Sequence, residues 1–461
     1  MRMSRRWILP VILLILPAVF GLAQSPIRAP KVMKRTLLNG LSVLVAEQRQ
    51  TPTVTVHLLI KSGATFDPMG KGGLAHITAE MLKAGTLQRS RQQIADELRN
   101  QNIAIDIEVT WDGTHLIGRG PAREAVRILG LITDLAINPA FLENEYQRLK
   151  SKCLEAINKE REDPTVVAEQ LLLKKLFENT TYARPLRGTP QTLNNITLGD
   201  IKEFHNKFYR PNNAILAVVG GIDPASLQQS ARRKIGGWVK DDTPPFTFLR
   251  AQAPGATKVY LIDRPDLPQA QVRIGQIGIA RDGDDYFPVR LLNQMFSGDK
   301  QSYLRDHLRQ TQSYQGVVEA RMEMRRLPGP FIISLSTGSE QAAAVVHEAI
   351  KALKLMKGVG DIKDLAEAKK ALINQYTAIF QSADQIAARW LDIELYQLGS
   401  NYLDAFPSRV EQVTLEDVRR VAERYFDPGG QVIVVAGSAA SLKSSLMTLG
   451  PVTVLSNPDI D

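Results

Sequence analysis

A single cysteine, Cys153, stands in 461 residues. No intrachain disulfide can form, and no cysteine cluster can hold zinc. Runs of like charge are missing, and so is any stripe of basic residues interleaved with aromatics, so nothing argues for nucleic acid. Net charge is only +9, mild for the length, and Arg2, Arg5 and Arg6 supply three of the positive charges from a segment expected to be removed. With 44 % hydrophobic and 23 % charged residues the chain is close to the globular average. That balance excludes a disordered, collagenous or multiply membrane-spanning protein. At ~100–200 residues per domain the length suggests two to four domains.

The one targeting signal is at the start. Residues 1–23 run from a basic opening through an apolar stretch beginning at Trp7 to Gly21, Leu22 and Ala23. Small residues at Gly21 and Ala23 suit a signal-peptidase cut after Ala23. The stretch is shorter than the ~20 residues of a typical spanning helix and contains Pro10 and Pro17. No cysteine follows it, which excludes a lipoprotein anchor. The expectation is a cleavable signal peptide and a periplasmic or secreted protein, with no membrane attachment after its removal.

The remainder reads as one plan used twice. Leu41–Val45 and Val54–Ile60 are strand-like, the stretches 74–84, 90–100, 121–136 and 141–160 are helical, and Ala214–Val219 closes the half as a strand. The second half offers strands at 258–262 and 271–275, helices at 285–296, 300–310, 339–356 and 362–381, and a closing strand at 431–437. Between them Lys240–Pro245 is charged and proline-bearing, as linkers are. The reading is therefore α+β: two homologous sandwich domains at 24–239 and 258–461, joined by a linker at 240–257, each a largely antiparallel sheet with helices packed on one face.

The most informative segment is Gly72-Gly73-Leu74-Ala75-His76-Ile77-Thr78-Ala79-Glu80-Met81-Leu82-Lys83-Ala84-Gly85-Thr86. Leu74, Ile77, Met81 and Leu82 follow helical spacing, which puts His76, Ala79, Glu80 and Lys83 on the opposite face. This segment resembles the zinc helix of the insulinase/pitrilysin peptidases, with its inverted H-x-x-E-H. Leu38-Asn39-Gly40-Leu41, Gly63 with Asp67-Pro68, Arg187-Gly188-Thr189-Pro190 and Tyr209-Arg210-Pro211-Asn212-Asn213 resemble further motifs of the family in order. So do Pro268-Gln269-Ala270 and Leu291-Leu292-Asn293, and the likeness spans about residues 32–440.

The chemistry implied by that family needs two histidine ligands one helical turn apart, a glutamate between them as general base, and a third, glutamate ligand from a later helix. His76 matches the first ligand. Ala79 stands in the general base's position, Glu80 in the second ligand's, and Ala156 in the third's. Leu149 replaces a supporting acid, so Leu149, Cys153 and Ala156 make an apolar stripe. No catalytic residue, no metal ligand set and no cofactor is expected here, although active members carry zinc. A residual site from His76 and Glu80 with Glu155 or Glu160 stays open, and Glu155 is turned by about 100° from Ala156 on the helix.

In active members the second domain supplies an arginine and a tyrosine to the substrate. Arg309 keeps the first; the second falls on Gly316 without a gap or on Tyr314 with one. The preceding glycine-rich turn is altered at Phe296–Leu304, which implies a stiffer loop. The family also holds substrate as an added strand on a sheet edge. The matching segment is Ile103–Asp112, with Ile105, Asp106 and Ile107 as peptide-binding candidates beside Arg309 and Tyr314. The resemblance therefore implies a non-catalytic member acting as partner subunit, in a heterodimer, of a zinc-bearing homologue that processes or degrades extended peptides. Two readings stand beside it: an independent peptide-binding or scaffold protein without a protease partner, and a zinc metallopeptidase with an unusual ligand set.

Overall fold

The computed structural model describes residues 30–456 apart from 50, 299–301, 359–361 and 427–429. The expected signal segment at 1–23 and the core of the altered turn, 299–301, lie outside the described residues. The first half opens with strands β1 (Val32–Thr36), β2 (Ser42–Glu47) and β3 (Thr53–Ile60). Helices α1 (Leu74–Leu82) and α2 (Arg91–Asn100) lead to the hairpin β4 (Ala104–Val109) and β5 (Thr114–Pro121). Then come α3 (Ala125–Ile137), α4 (Glu143–Glu160), α5 (Pro164–Leu176), α6 (Pro190–Asn194) and α7 (Leu198–Phe208). Strand β6 (Ala214–Gly220) and α8 (Pro224–Ile235) close the half, and residues 239–257 carry no helix or strand.

The second half repeats the order with β7 (Lys258–Asp263), β8 (Ala270–Ile277), α9 (Tyr286–Ser297), α10 (Tyr303–Gln312), β9 (Val318–Met322) and β10 (Pro330–Thr337). It continues through α11 (Ala342–Leu355), α12 (Ile362–Ala378), α13 (Ala383–Leu395), α14 (Tyr402–Gln412) and α15 (Leu415–Tyr425). Strand β11 (Val432–Gly437), α16 (Ala439–Leu446) and β12 (Val452–Leu455) end it.

Each half builds one six-stranded sheet, ordered β1-β2-β6-β3-β5-β4 and β12-β7-β11-β8-β10-β9. From the second position inward the two orders are equivalent, strand for strand. β2 runs parallel to β6 as β7 does to β11, while β3, β5 and β4 and their counterparts are antiparallel. The outermost strand differs: β1 pairs antiparallel with β2, and β12 parallel with β7. β6 and β11 are buried along their whole length, which explains their unbroken apolar sequence.

Strand alternation sends side chains to two faces. Val43, Val45, Val56, Leu58, Leu216 and Val218 pack with the half's own helices. Leu44, Ala46, Leu59, Ile215, Ala217 and Val219 face the other way and join the core of the second half, where α13 lies over β6 and β3. The second sheet returns the exchange. Its Tyr260, Ile262, Ile332, Val432, Val434 and Ala436 pack with Val167, Ala168, Leu171 and Leu172 of α5. Gly275 makes room for this: a Cβ there would sit 2.8 Å from Leu172. Each sheet thus has its own helices on one face and a helix lent by the other half on the second.

Charge pairs mark the exchange on both sides. The Asp384 carboxylate of α13 accepts from the Thr55 hydroxyl and the Arg119 guanidinium of the first sheet. The Glu169 carboxylate of α5 pairs with Arg321 at 2.5 Å and Arg273 at 3.6 Å on the second. Among the described residues no helix is long and apolar enough to cross a membrane.

Candidate functional site

Two tight backbone approaches set up the site. Gly73 begins α1 at φ +92°, with its missing Cβ 2.4 Å from the Arg187 carbonyl oxygen. Gly188, at φ +75°, would place a Cβ 2.1 Å from the Gly72 carbonyl oxygen. Only glycine fits both the space and the backbone conformation. The Thr192 hydroxyl donates to the Gly72 carbonyl at 2.8 Å and fastens the two segments. Since Gly73 has no side chain with which to cap α1, Asp67 does so: its carboxylate accepts from the Gly73 and Ala75 N–H groups, both at 2.8 Å. Burial pushes the Asp67 carboxyl up to about 7 against those two donors.

This arrangement delivers Arg187 to the exposed face of α1. Its Nη1 lies 3.4 Å from His76 Nε2, and its Nε pairs with Glu160 at 3.0 Å. A guanidinium only donates, so Nε2 is the acceptor and the neutral ring keeps its proton on Nδ1. The lone pair a metal would take is directed at a cation. Burial and the Arg187 charge push the imidazole down to about 4. One turn on, Glu80 pairs with Lys83 at 2.9 Å. Ala79 is buried, Leu149 and Cys153 belong to the first half's core, Ala156 is half-buried, and Glu155 is exposed. Burial and the Glu80 charge raise the Cys153 thiol to about 11, which keeps it protonated.

These residues do not fit zinc. Two ligand-type side chains remain, each engaged with a cation of the chain itself. Glu160, the alternative third carboxylate, is paired with Arg187. Among the described residues there is no group of three or more His, Cys, Asp or Glu side chains placed to hold a metal ion.

The second half's candidates separate. Arg309 is exposed on α10 and pairs with Asp306 at 3.4 Å, leaving its guanidinium at the surface. Tyr314 is buried instead of presented: its hydroxyl lies 2.8 Å from the Ser336 carbonyl and 3.0 Å from that of Val317, where it donates. Tyr314 therefore offers no free hydroxyl donor to a peptide, because its one donor is spent on the chain's own backbone. Its oxygen also lies 2.4 Å from where a Gly316 Cβ would be, so Gly316 has no room for a side chain.

Ile105, Asp106 and Ile107 lie on β4, the terminal strand of its sheet, beside α1. The Thr110 N–H donates to the Gly113 carbonyl at 2.9 Å. Counting back by twos, Glu108, Asp106 and Ala104 bond inward to β5, and Ile105 and Ile107 turn their backbone groups to the open side. Ile107 is buried, Ile105 half-buried, and Asp106 pairs with Arg119. Arg187 was legible as part of its turn motif, but its side chain's place beside His76 depends on a contact 111 residues away in sequence.

A doubled α+β sandwich with a helix of H-x-x-A-E pattern facing an apolar stripe defines an insulinase-type architecture without that class's ligands. The chain belongs to peptidase family M16. Residues 42–190 match the model described as Insulinase (Peptidase family M16), and residues 195–372 match Peptidase M16 inactive domain. An uncharacterized zinc protease of Rickettsia bellii is 23 % identical over 368 residues, covering 79 % of this chain and 86 % of that protein. Mitochondrial-processing peptidase subunit beta of Saccharomyces cerevisiae is 23 % identical over 276 residues, 59 % of each. A crystal structure of a peptidase M16 inactive domain from Pseudomonas fluorescens superposes with a TM-score of 0.82 at 24 % identity, over 89 % of this chain and 99 % of that one. That last likeness shows the shared fold.

Proposed function

We propose that this M16 chain is a non-catalytic subunit that holds extended peptides and works beside a zinc-bearing homologue in an exported peptide-processing pair. The observation that carries the reading is the Arg187 guanidinium set against His76 Nε2, with Ala79 and Ala156 where a base and a ligand would be needed. A guanidinium directed at the lone pair a metal would use disfavours a second cation there. The open edge of β4 supports the peptide-holding part, since strand addition needs backbone groups more than particular side chains. The name of the yeast relative, a subunit of a processing peptidase, supports the partner part. The leader at residues 1–23 supports export.

The test is to purify the chain from residue 24, with and without any H-x-x-E-H homologue that its source genome encodes. Oligomeric state by light scattering and cleavage of a quenched fluorescent peptide library are then measured. The expected result is zinc-free chain, no cleavage alone, a heterodimer on mixing, and faster or altered cleavage by the pair. Stoichiometric zinc and cleavage by the chain alone would overturn the reading. Peptide binding without association would favour an independent scaffold using the same edge.

A further inference from the structure

The seam between the halves contains a cavity of ≈ 420 Å³ that neither the peptide edge nor the degenerate zinc helix uses. Its walls include Lys61 at the end of β3, Arg326 from the loop before β10, and the aromatic rings of Phe66 and Phe246. Both cationic residues are anchored through their backbones. The Lys61 N–H donates to the Asn213 carbonyl at 2.8 Å, and the Arg326 N–H donates to Asp112 Oδ2 at 2.9 Å. Their charged ends are another matter. Among the described residues neither the Lys61 ammonium nor the Arg326 guanidinium makes a hydrogen bond or ion pair, although both side chains are half-buried. The guanidinium only lies over the Phe246 ring, 4.7 Å from its centre.

The nearby carboxylates, Asp112 by Arg326 and Glu394 by Lys61, attract the two cations without pairing with them. Asp112 already accepts from the Arg326 N–H and from the hydroxyls of Tyr182 and Tyr396, the latter two at 3.0 and 3.1 Å. Glu394 is held by Lys34 at 2.7 Å. Asp282 lies on the rim and is exposed. Two cations converging on one partly desolvated cavity without a directly paired counter-ion cost free energy in the free protein. Consistent with this, burial holds both groups below their ordinary values; at Lys61 the Arg326 charge adds to the effect and Glu394 opposes it, and at Arg326 Asp112 opposes it without cancelling it.

The geometry points to an oxyanion site: a carboxylate or phosphate group bound between Lys61 and Arg326, with the Phe66 and Phe246 rings against the remainder of the ligand. A guanidinium fork and an ammonium are the pair that recognises such a group. Phe246 belongs to the segment joining the halves, so the ligand would touch the first half, the second half and the link between them.

The experiment follows thermal unfolding of the full chain from residue 24 at constant ionic strength. The probes are inorganic phosphate, a short apolar peptide with a free C-terminal carboxylate, and the same peptide amidated. The expected result is a saturable rise in midpoint with phosphate, with the free-acid peptide, or with both, and none specific to the amide. Lys61→Met and Arg326→Gln should each weaken that response about tenfold, the scale of one lost charge-assisted hydrogen bond. Lys61→Arg should retain it. Without ligand Lys61→Met should unfold no earlier than wild type, because it removes a repulsion. No saturable rise in wild type, or equal rises in wild type and both charge-removing variants, would overturn the site. An equal response to acid and amide that survives Lys61→Met would assign the binding to the β4 edge and likewise overturn it.

Discussion

Arg187 Nη1 stands 3.4 Å from His76 Nε2 while Arg187 Nε holds Glu160 at 3.0 Å. One side chain thus covers the surviving histidine and occupies the nearest spare carboxylate. Restoring the lost ligands alone should not restore a good site. The variant Ala79→Glu, Glu80→His, Ala156→Glu is expected to take up zinc weakly. Adding Arg187→Ala should tighten it at least about tenfold, since a like charge beside a cation site costs on the order of 1–2 kcal/mol. Competition against a chromophoric chelator measures both. Equal affinities would show that Arg187 does not oppose the metal.

The exchanged helices make a second expectation. Leu172 lies on α5, in the first half of the chain, yet packs in the second half's core. Leu172→Ala should cost ~2–5 kcal/mol through lost burial and the cavity left behind. Hydrogen exchange should report the loss in β8 and β11 of the other half, with the first sheet least affected. Loss of protection confined to residues near α5 in sequence would contradict the exchange.

Acid should loosen the molecule above the usual carboxylate range. His115, beside His57 at 3.0 Å, and His205, whose Nε2–H donates to the Ala136 carbonyl at 2.8 Å, are both pushed by burial down to about 4. A histidine depressed in the folded state favours the neutral form there. Its contribution is complete above the ordinary value of 6.5, falls as protons bind the unfolded chain, and is gone by about pH 4. Each such group is worth on the order of 3 kcal/mol over that window. Urea midpoints should therefore drop between pH 7 and 4.5, and His205→Gln should flatten part of the drop. A level profile over that range would refute the assignment.

The edge of β4 can be tested by proline. At Ile105 the backbone N–H faces outward, so Ile105→Pro should spare the ladder to β5 and remove one hydrogen bond to an added strand. Peptide affinity should fall several-fold with little loss of stability. Asp106→Pro, one residue on, removes an inward ladder bond and should destabilise the hairpin clearly more than Ile105→Pro does. Equal effects from both would mean that the outward groups of β4 are not the docking row.

Much of the frame was legible because strand and helix periods repeat in both halves. Ala214–Gly220 and Val432–Gly437 are apolar throughout since they are central strands with both faces covered. The departures from the family's ligand pattern were legible, because metal chemistry tolerates few residue types at fixed spacing and alanine at 79 and 156 is none of them. The exchange of α5 and α13 was not. The pattern of Pro164–Leu176 announces an apolar helix, but nothing local says which of two sheets it will cover. The side-chain settings of Tyr314 and Arg187 were not legible for a related reason. Each side chain's partner, Ser336 for one and His76 for the other, is set by tertiary approach, and neither partner leaves a mark near the residue itself.

The lending of one helix in each direction also bears on how such a chain is inherited. Severed at residues 239–257, neither piece would keep the cover for both faces of its sheet, and each would display a wide greasy surface until it found the other. The two halves look like duplicates but are no longer separable copies. A gene break at that point would survive only if both fragments were made together, so the two similar halves behave as a single heritable object.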